Sequence, residues 1–426
     1  QLPLLSLLAH LWQWTFISSS KGCDDQKAFM KRLLQINTVA AGGSTGKIVE
    51  SIGRMAIADG WESWIAYGRG NPKSESNLIR IGNDADMMWH GLQTRLFDRH
   101  GLASKKATKT FIKEIKKINP DLIHLHNIHG YYLNYPLLFK FLKEWGGPVV
   151  WTLHDCWAFT GHCTNFQNPK CDKWMCGCNK CSQPYDYPKS WHKDRSDINF
   201  TEKRLTFRSI IKQLTIVAVS EWLKDSIKKS FLSEARITAI HNGIDLNAFK
   251  PYSTDTSENV ILGVANVWSD KKGIDEFIFL REQLPENCKI ILVGMTQKQI
   301  KSLPSGITGI GKTNSQQELA RLYSSATVFV NPTKEETLSL TNIEAQACGT
   351  PVVCYATGGT PETVSSETGI LIPSGDKEKL LDAVTRLLET PKCGLAEACR
   401  KRAVRLFDQK DRFAEYISLY NSLLGR

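Results

Sequence analysis

"NPTKEETLSLTNIEAQACGTPVV", residues 331–353, sets a polar, carboxylate-bearing loop between a short apolar run and a strongly helical one. The preceding Thr327–Val330 reads as a buried strand, and helical periodicity opens near Ser339. A strand that ends at Asn331 and turns into a helix leaves several backbone N–H groups pointing outward, a natural seat for an anion. Glu336 falls in the loop and Glu344 about one turn inside the helix, with seven residues between them. A carboxylate at Glu344 can accept two vicinal hydroxyls, as from a ribose, and one at Glu336 can reach a ring lying beyond the anion. Two solvated glutamates on a helix face would produce the same spacing, so the surrounding chain has to decide.

Strands and helices alternate through that chain in two blocks. The first runs through Leu33–Asn37, a helical stripe of Ile48, Ile52, Met55 and Ala56 ended by Gly60, and Trp64–Tyr67. After a long basic helical region come the apolar runs 121–126 and 148–153, then Ile216–Val219, a helix from Glu221, and Ile237–Ile240. Residues 241–259 are polar and rich in turn signals. The alternation restarts with Val260–Ala265, Lys289–Val293, Thr327–Val330 and Val352–Tyr355, and closes on an amphipathic helix carrying Phe413, Tyr416, Ile417, Tyr420 and Leu424. This pattern predicts an α/β fold of two Rossmann-like, doubly wound domains facing a cleft, with ligands at the carboxyl ends of the strands. The chain is 426 residues long, enough for two such domains. The expected division is a poorly ordered leader at 1–29, an N-terminal domain at 30–245 with a Cys-rich insertion at 156–190, and a linker at 246–258. A C-terminal domain at 259–405 and a helix at 406–426 crossing back to the N-terminal domain complete it.

A second stretch, "AAGGSTGKIVE" (40–50), resembles a phosphate-binding loop at first sight. The P-loop template anchored on Gly46-Lys47 needs a glycine at Ala41 and a hydroxyl at Ile48, and neither is there. A strand, a glycine turn and a helix N-terminus remain, suited to an anion, though an ordinary tight βα turn has the same sequence.

Net charge is +11, and residues 101–230 hold 21 Lys+Arg against 11 Asp+Glu, which is +10. Such a field suits nucleic acid, an acidic membrane surface or phosphorylated substrates; lysines such as Lys105, Lys109 and Lys116 can equally be a solvated helix face. A nucleic-acid partner is disfavoured, because the basic stretch lacks interleaved aromatics and recognised binding motifs. Six of the twelve cysteines fall within residues 156–181, which reads as a reducing cytosol with one local cluster. Cys163, Cys171, Cys178 and Cys181, spaced by seven, six and two residues, are candidate ligands of a structural zinc, with Cys176 competing for a place. A disulfide pair or unliganded thiols are the alternatives. The leader is apolar for about 16 positions, short for a membrane span and without preceding basic residues; the folded protein is expected to begin near Met30, with a membrane anchor as the minority reading.

Further stretches follow one another in a telling order. "ACGTPVV" (347–353), "TGGTPETV" (357–364) and "TGILIPSGD" (368–376) succeed the Glu336/Glu344 segment, and "VANVWSDKKGIDEF" (264–277), "HNGIDLNAFKP" (241–251), "TLHD" (152–155) and "HLHN" (124–127) precede it. Together they resemble the retaining nucleotide-sugar glycosyltransferases of family 4, which have the GT-B fold. "GGSTGKI" and "HDCWAFTGHC" bring it nearest to capsule, exopolysaccharide and colanic-acid-type transferases. The resemblance covers residues 33 to 424 and implies a hexosyl-transferring enzyme of bacterial surface polysaccharide synthesis, with a nucleotide diphosphate sugar as donor. It places His154, Glu336 and Lys272 at the chemistry. Donor contacts would come from Gly42, Gly43, Ser44, Asn266, Lys272, Glu336, Ser339, Leu340, Thr341 and Glu344. The acceptor would be a glycan or polyprenyl-linked glycan, met in the cytoplasm or at the inner face of the cytoplasmic membrane.

Two departures stand out. Asn266 replaces a frequent arginine beside the diphosphate, leaving that charge to Lys272 with help from Lys271, and the usual Glu-Gly-Phe-Gly becomes Glu336-Thr337-Leu338-Ser339, narrowing the sugar pocket. No cofactor is expected for catalysis, and no Asp-x-Asp motif lies near these segments. His124 and His126 are expected to be strand-end packing residues. Rival readings are a nucleotide-sugar epimerase of the same fold and a zinc-containing nucleic-acid-binding protein.

Overall fold

A computed structural model of the chain describes residues 30–253 and 258–425. The expected leader at 1–29 and the middle of the expected linker lie outside the described residues.

Seven strands form the first sheet: β1 (Arg32–Val39), β2 (Glu62–Arg69), β3 (Asn77–Arg80), β4 (Leu122–Leu125), β5 (Val149–Leu153), β6 (Leu214–Ala218) and β7 (Arg236–Ala239). Six form the second: β8 (Asn259–Val264), β9 (Cys288–Val293), β10 (Ile307–Ile310), β11 (Val328–Asn331), β12 (Val352–Tyr355) and β13 (Gly369–Ile372). Their orders are β3-β2-β1-β4-β5-β6-β7 and β10-β9-β8-β11-β12-β13, and the pairings are parallel. Each order reverses beside its first strand, between β1 and β4 and between β8 and β11. A crevice opens at such a reversal, at the carboxyl ends of the strands. Helices cover both faces, which is why β1 buries Leu33, Leu34 and Ile36 completely instead of alternating.

The C-terminal helix, Gln409–Leu423, crosses back to the first sheet as expected. Its Phe413, Tyr416, Ile417 and Tyr420 pack with Leu33, Ile48, Ile52 and Trp61, each burial being worth about 1.5–3 kcal/mol. Backbone bonds from Ile244 N to Phe407 O (2.9 Å) and from Gln409 N to Ile244 O (3.1 Å) fix where the chain crosses. His124, in β4, completes the seam: Nδ1 lies 2.6 Å from the Tyr420 hydroxyl and Nε2 2.8 Å from Thr152 Oγ1. It is a packing residue, as expected.

Three strands escape the sequence reading. β3, β10 and β13 lie at sheet edges; polar residues bound or interrupt the apolar positions of β3 and β10, whereas β13 is apolar throughout. The basic helical region proves to be two helices, Asp84–Phe97 and Lys105–Ile118, separated where Asp98 and Ser104 adopt left-handed backbone (φ 51° and 52°). The second buries Phe111, Ile115 and Ile118 and leaves its lysines in solvent. Among the described residues no helix is long and apolar enough to cross a membrane.

Candidate active site

The loop after β11 is built from within. The Asn331 side chain donates to Ser339 Oγ and Asn342 Oδ1, both at 2.8 Å, and Ser339 caps the helix Leu340–Ala347. The Ser339 hydroxyl is therefore buried and engaged with the protein, while half-buried Leu340 and Thr341 carry the first-turn amides. Glu336 takes the Thr337 N–H on Oε1 and the Lys272 ammonium on Oε2, each at 3.2 Å, and Lys272 also donates to Thr333 Oγ1 at 3.2 Å. Gly358 backs this loop at φ +56°, where a Cβ would lie 1.8 Å from the Glu336 carbonyl oxygen. No other residue fits there.

Glu344 is anchored by the Tyr323 hydroxyl, 3.0 Å from Oε2. Burial pushes its carboxyl up to about 7, against the pull of the Tyr323 hydrogen bond and of Lys47. Lys47 belongs to the helix Gly43–Ala58 of the other domain, so that helix comes within electrostatic reach of Glu344 across the cleft. Gly42 caps that helix without a side-chain bond, Gly43 sits at φ +63°, and Gly42, Gly43 and Ser44 are exposed, with no acidic residue in the first turn. This N-terminus is open to an anion. Asn266 is exposed in the loop after β8.

His154 follows β5, and its hydrogen bonds assign its tautomer. The Gln35 amide nitrogen donates to Val49 O (3.0 Å), which turns Gln35 Oε1 toward His126 Nε2 at 3.2 Å. That nitrogen must then carry the hydrogen, leaving His126 Nδ1 to accept from His154 Nε2–H at 3.2 Å. His154 Nδ1 thus keeps its lone pair. Burial drives the His154 pKa down to about 4, so the ring is neutral near pH 7. His126 packs at the strand end, as expected, and also orients His154.

The Cys-rich segment departs from expectation. Among the described residues no group of three or more His, Cys, Asp or Glu side chains is placed to hold a metal ion, so the structure does not support the zinc shell expected from Cys163, Cys171, Cys178 and Cys181. The described cysteines are free thiols. Their sulfurs have protein partners instead: Cys163 hydrogen-bonds Cys181, and Cys178 Sγ accepts the Gly161 N–H at 3.2 Å. A Phe166–Trp174 stack, 4.5 Å between centroids, supplies the local core.

This segment reaches the other domain. Gln167 Nε2 donates to Glu336 O at 2.8 Å, and Lys271 bridges Asp186 (2.8 Å) and Glu335 (2.9 Å). Lys271 is thus neutralised by two carboxylates, which corrects the expectation that it helps Lys272 with a diphosphate.

The cleft therefore gathers Lys272, Glu336, Leu340, Thr341 and Glu344 on one wall and Gly42, Gly43, Ser44 and His154 on the other. Lys47, Tyr323, Gln35 and Thr337 escape the sequence reading, since each acts through a partner distant in the chain. Two of them left a trace there, Lys47 as the lysine of the failed P-loop match and Thr337 within the altered Glu336–Ser339 loop.

Residues 45–248 match the family "Glycosyltransferase Family 4", and residues 258–390 match "Glycosyl transferases group 1". The Escherichia coli (strain K12) protein WcaC, named as a colanic acid biosynthesis glycosyl transferase, is 24% identical over 92% of this chain and 100% of its own length. A D-inositol 3-phosphate glycosyltransferase of Mycobacteroides abscessus is 29% identical over 40% of this chain and 43% of its own. Among solved structures, sucrose-phosphate synthase from Thermosynechococcus elongatus superposes with a TM-score of 0.68 at 19% identity, covering 93% of this chain and 99% of that one. Anabaena HepE in complex with UDP and glucose superposes at 0.65 with 17% identity, covering 92% and 100%. With two parallel-sheet domains around a cleft and both halves matched, the chain belongs to the GT-B glycosyltransferases of family 4.

Proposed function

We propose that this enzyme transfers a hexosyl group, with retention, from a nucleoside diphosphate sugar to a hydroxyl of a glycan or polyprenyl-linked acceptor in bacterial surface polysaccharide synthesis of the colanic-acid type. One pair of observations supports the reading: Glu344 is anchored by Tyr323 and lies within electrostatic reach of Lys47, on the helix whose open end is Gly42–Ser44. A nucleotide fits between them, its ribose on Glu344 and its diphosphate between Lys272, the Leu340–Thr341 amides and the glycine loop.

Glu336 and His154 then flank the sugar. The His154 Nδ1 lone pair accepts a sugar hydroxyl. As the anomeric C–O bond to diphosphate breaks, negative charge grows on the leaving group next to Lys272, and the acceptor oxygen bonds to the same face while its proton passes to the departing diphosphate. Such preorganised stabilisation is worth roughly 2.7–4 kcal/mol per group.

Nucleotide sugars screened against the purified protein should include one that raises its melting temperature by mass action. Nucleoside diphosphate should be released only when an acceptor is supplied; release or sugar isomerisation without one would favour an epimerase. The basic first domain suits the cytoplasmic face of an anionic membrane. Vesicles with anionic lipid should therefore bind the protein at low salt and release it at high salt.

A further inference from the structure

Two cations that the donor site leaves unused meet beside the carboxyl end of β2: Arg69, its last residue, and Arg95 of a neighbouring helix. Gly68 packs so closely that a Cβ would come within 2.5 Å of the Tyr132 side chain, which seats the strand end against the Tyr131–Tyr132 loop with exposed Arg69 next in line. Tyr131 holds φ +71°, a conformation that bulky residues rarely adopt and that clusters at functional sites. Arg95, from the helix Asp84–Phe97, lays its guanidinium 5.8 Å from the Tyr131 ring and 5.9 Å from the Trp191 ring. The Trp191 main-chain N–H donates to Arg95 O at 2.7 Å, which ties the two backbones together. Burial raises the Tyr131 phenol above its ordinary pKa while Arg95 and Arg69 both oppose the rise, so the two cations act on one hydroxyl.

Arg32, Arg54, Arg80 and Arg208 are ion-paired, whereas among the described residues neither Arg69 nor Arg95 is paired with a carboxylate. The aromatic surface beside them is open, with Tyr187 42% and Trp191 45% exposed. It is also continuous with the cleft. The Tyr187 hydroxyl lies 3.1 Å from His129 Nδ1, His129 Nε2 lies 2.9 Å from Asp155 Oδ2, and Asp155 follows His154.

We propose that Arg69 and Arg95 bind the phosphate or diphosphate of the acceptor, with the Tyr187 and Trp191 rings against the group that carries it. The guanidinium fork suits phosphoryl oxygens, and two unpaired forks suit a multiply charged anion. This deepens the transferase reading and rests on it for the word acceptor. The anion belongs either to a prenyl-linked diphosphate or to a phosphorylated glycan.

The test is calorimetric titration of the full chain with inorganic pyrophosphate and with geranyl diphosphate. The donor site is first saturated with whichever of UDP, GDP or ADP binds tightest. A further equivalent of anion should bind. Arg69→Gln and Arg95→Gln should each weaken it about tenfold or more, with nucleotide affinity and melting temperature unchanged and with partial recovery in Arg95→Lys. Tighter binding of geranyl diphosphate than of pyrophosphate supports a lipid-linked source, and equal binding supports a phosphorylated glycan. No further equivalent, or one indifferent to both substitutions, overturns the site. Pyrophosphate binding that depends on the arginines when no nucleoside diphosphate binds would leave the site standing and remove the donor reading instead.

Discussion

The Thr337 hydroxyl donates to the main-chain carbonyl of His154 over 2.8 Å, tying the loop that carries Glu336 to the strand end that carries the histidine. These residues are 183 positions apart and lie in loops that follow strands of different sheets. The proposed sugar position lies where this bond joins the two walls. Thr337→Val keeps the volume and removes the bond, and a neutral hydrogen bond contributes about 0.5–1.5 kcal/mol. Turnover should fall roughly 2- to 10-fold with little change in nucleotide affinity. Kinetics at saturating donor check this, and wild-type turnover would show that the tie does not position the walls.

Lys272 and Glu344 should separate kinetically. Lys272→Ala should lower kcat by roughly 10²–10³ while affecting donor affinity less, because leaving-group charge develops during the reaction. Glu344→Ala should act on binding, weakening the nucleotide by about 1–3 kcal/mol through lost hydrogen bonds to a charged acceptor. Steady-state kinetics combined with nucleotide titration distinguishes the two. A Lys272→Ala enzyme that turns over normally would remove the phosphate assignment.

Nucleotide binding should depend on pH through Glu344. Its carboxyl is raised to about 7 in the folded protein, so at pH 6 most molecules hold it protonated and less able to accept from two hydroxyls. Affinity should rise roughly eightfold between pH 6 and 7.5 if the carboxylate form alone binds. For folding the sign is opposite: the raised pKa stabilises the native state fully below the ordinary glutamate range, and that contribution is lost as pH rises toward 7. Glu344→Gln should flatten this part of the affinity profile and leave only the ligand's own phosphate ionisation. An unchanged profile in that variant would place the titration elsewhere.

The crossing helix should prove structural. Tyr420→Phe leaves buried His124 without its 2.6 Å partner, costing about 1–3 kcal/mol. Tyr420→Ala adds a cavity, bringing the loss to about 3–5 kcal/mol. Denaturant unfolding measures both, and folded Tyr420→Phe enzyme should retain its donor affinity.

Periodicity decided much in advance. Leu33–Asn37, Val352–Tyr355 and the stripe from Phe413 to Leu424 were legible because apolar spacing encodes a buried strand or a one-sided helix wherever the environment is uniform. The open turn at Gly42–Gly43 and the carboxylates of the 331–353 segment were legible too, because a strand–loop–helix unit exposes amides whatever surrounds it. The edge strands β3 and β10 were not, because Asn77 and Arg80 bound a two-residue apolar pair in one and Thr308-Gly309 interrupts the other. The apolar β13 lay within a stretch read only as a motif. The cysteine spacing suggested a metal shell, yet ligand geometry depends on where the backbone carries each sulfur, and here sulfur meets sulfur or amide. Lys47 opposite Glu344, Gln35 beneath His126 and Thr337 against His154 were settled only by tertiary structure. Each pairs groups brought together by sheet order and domain docking, and sequence spacing holds no trace of a neighbour supplied by another strand.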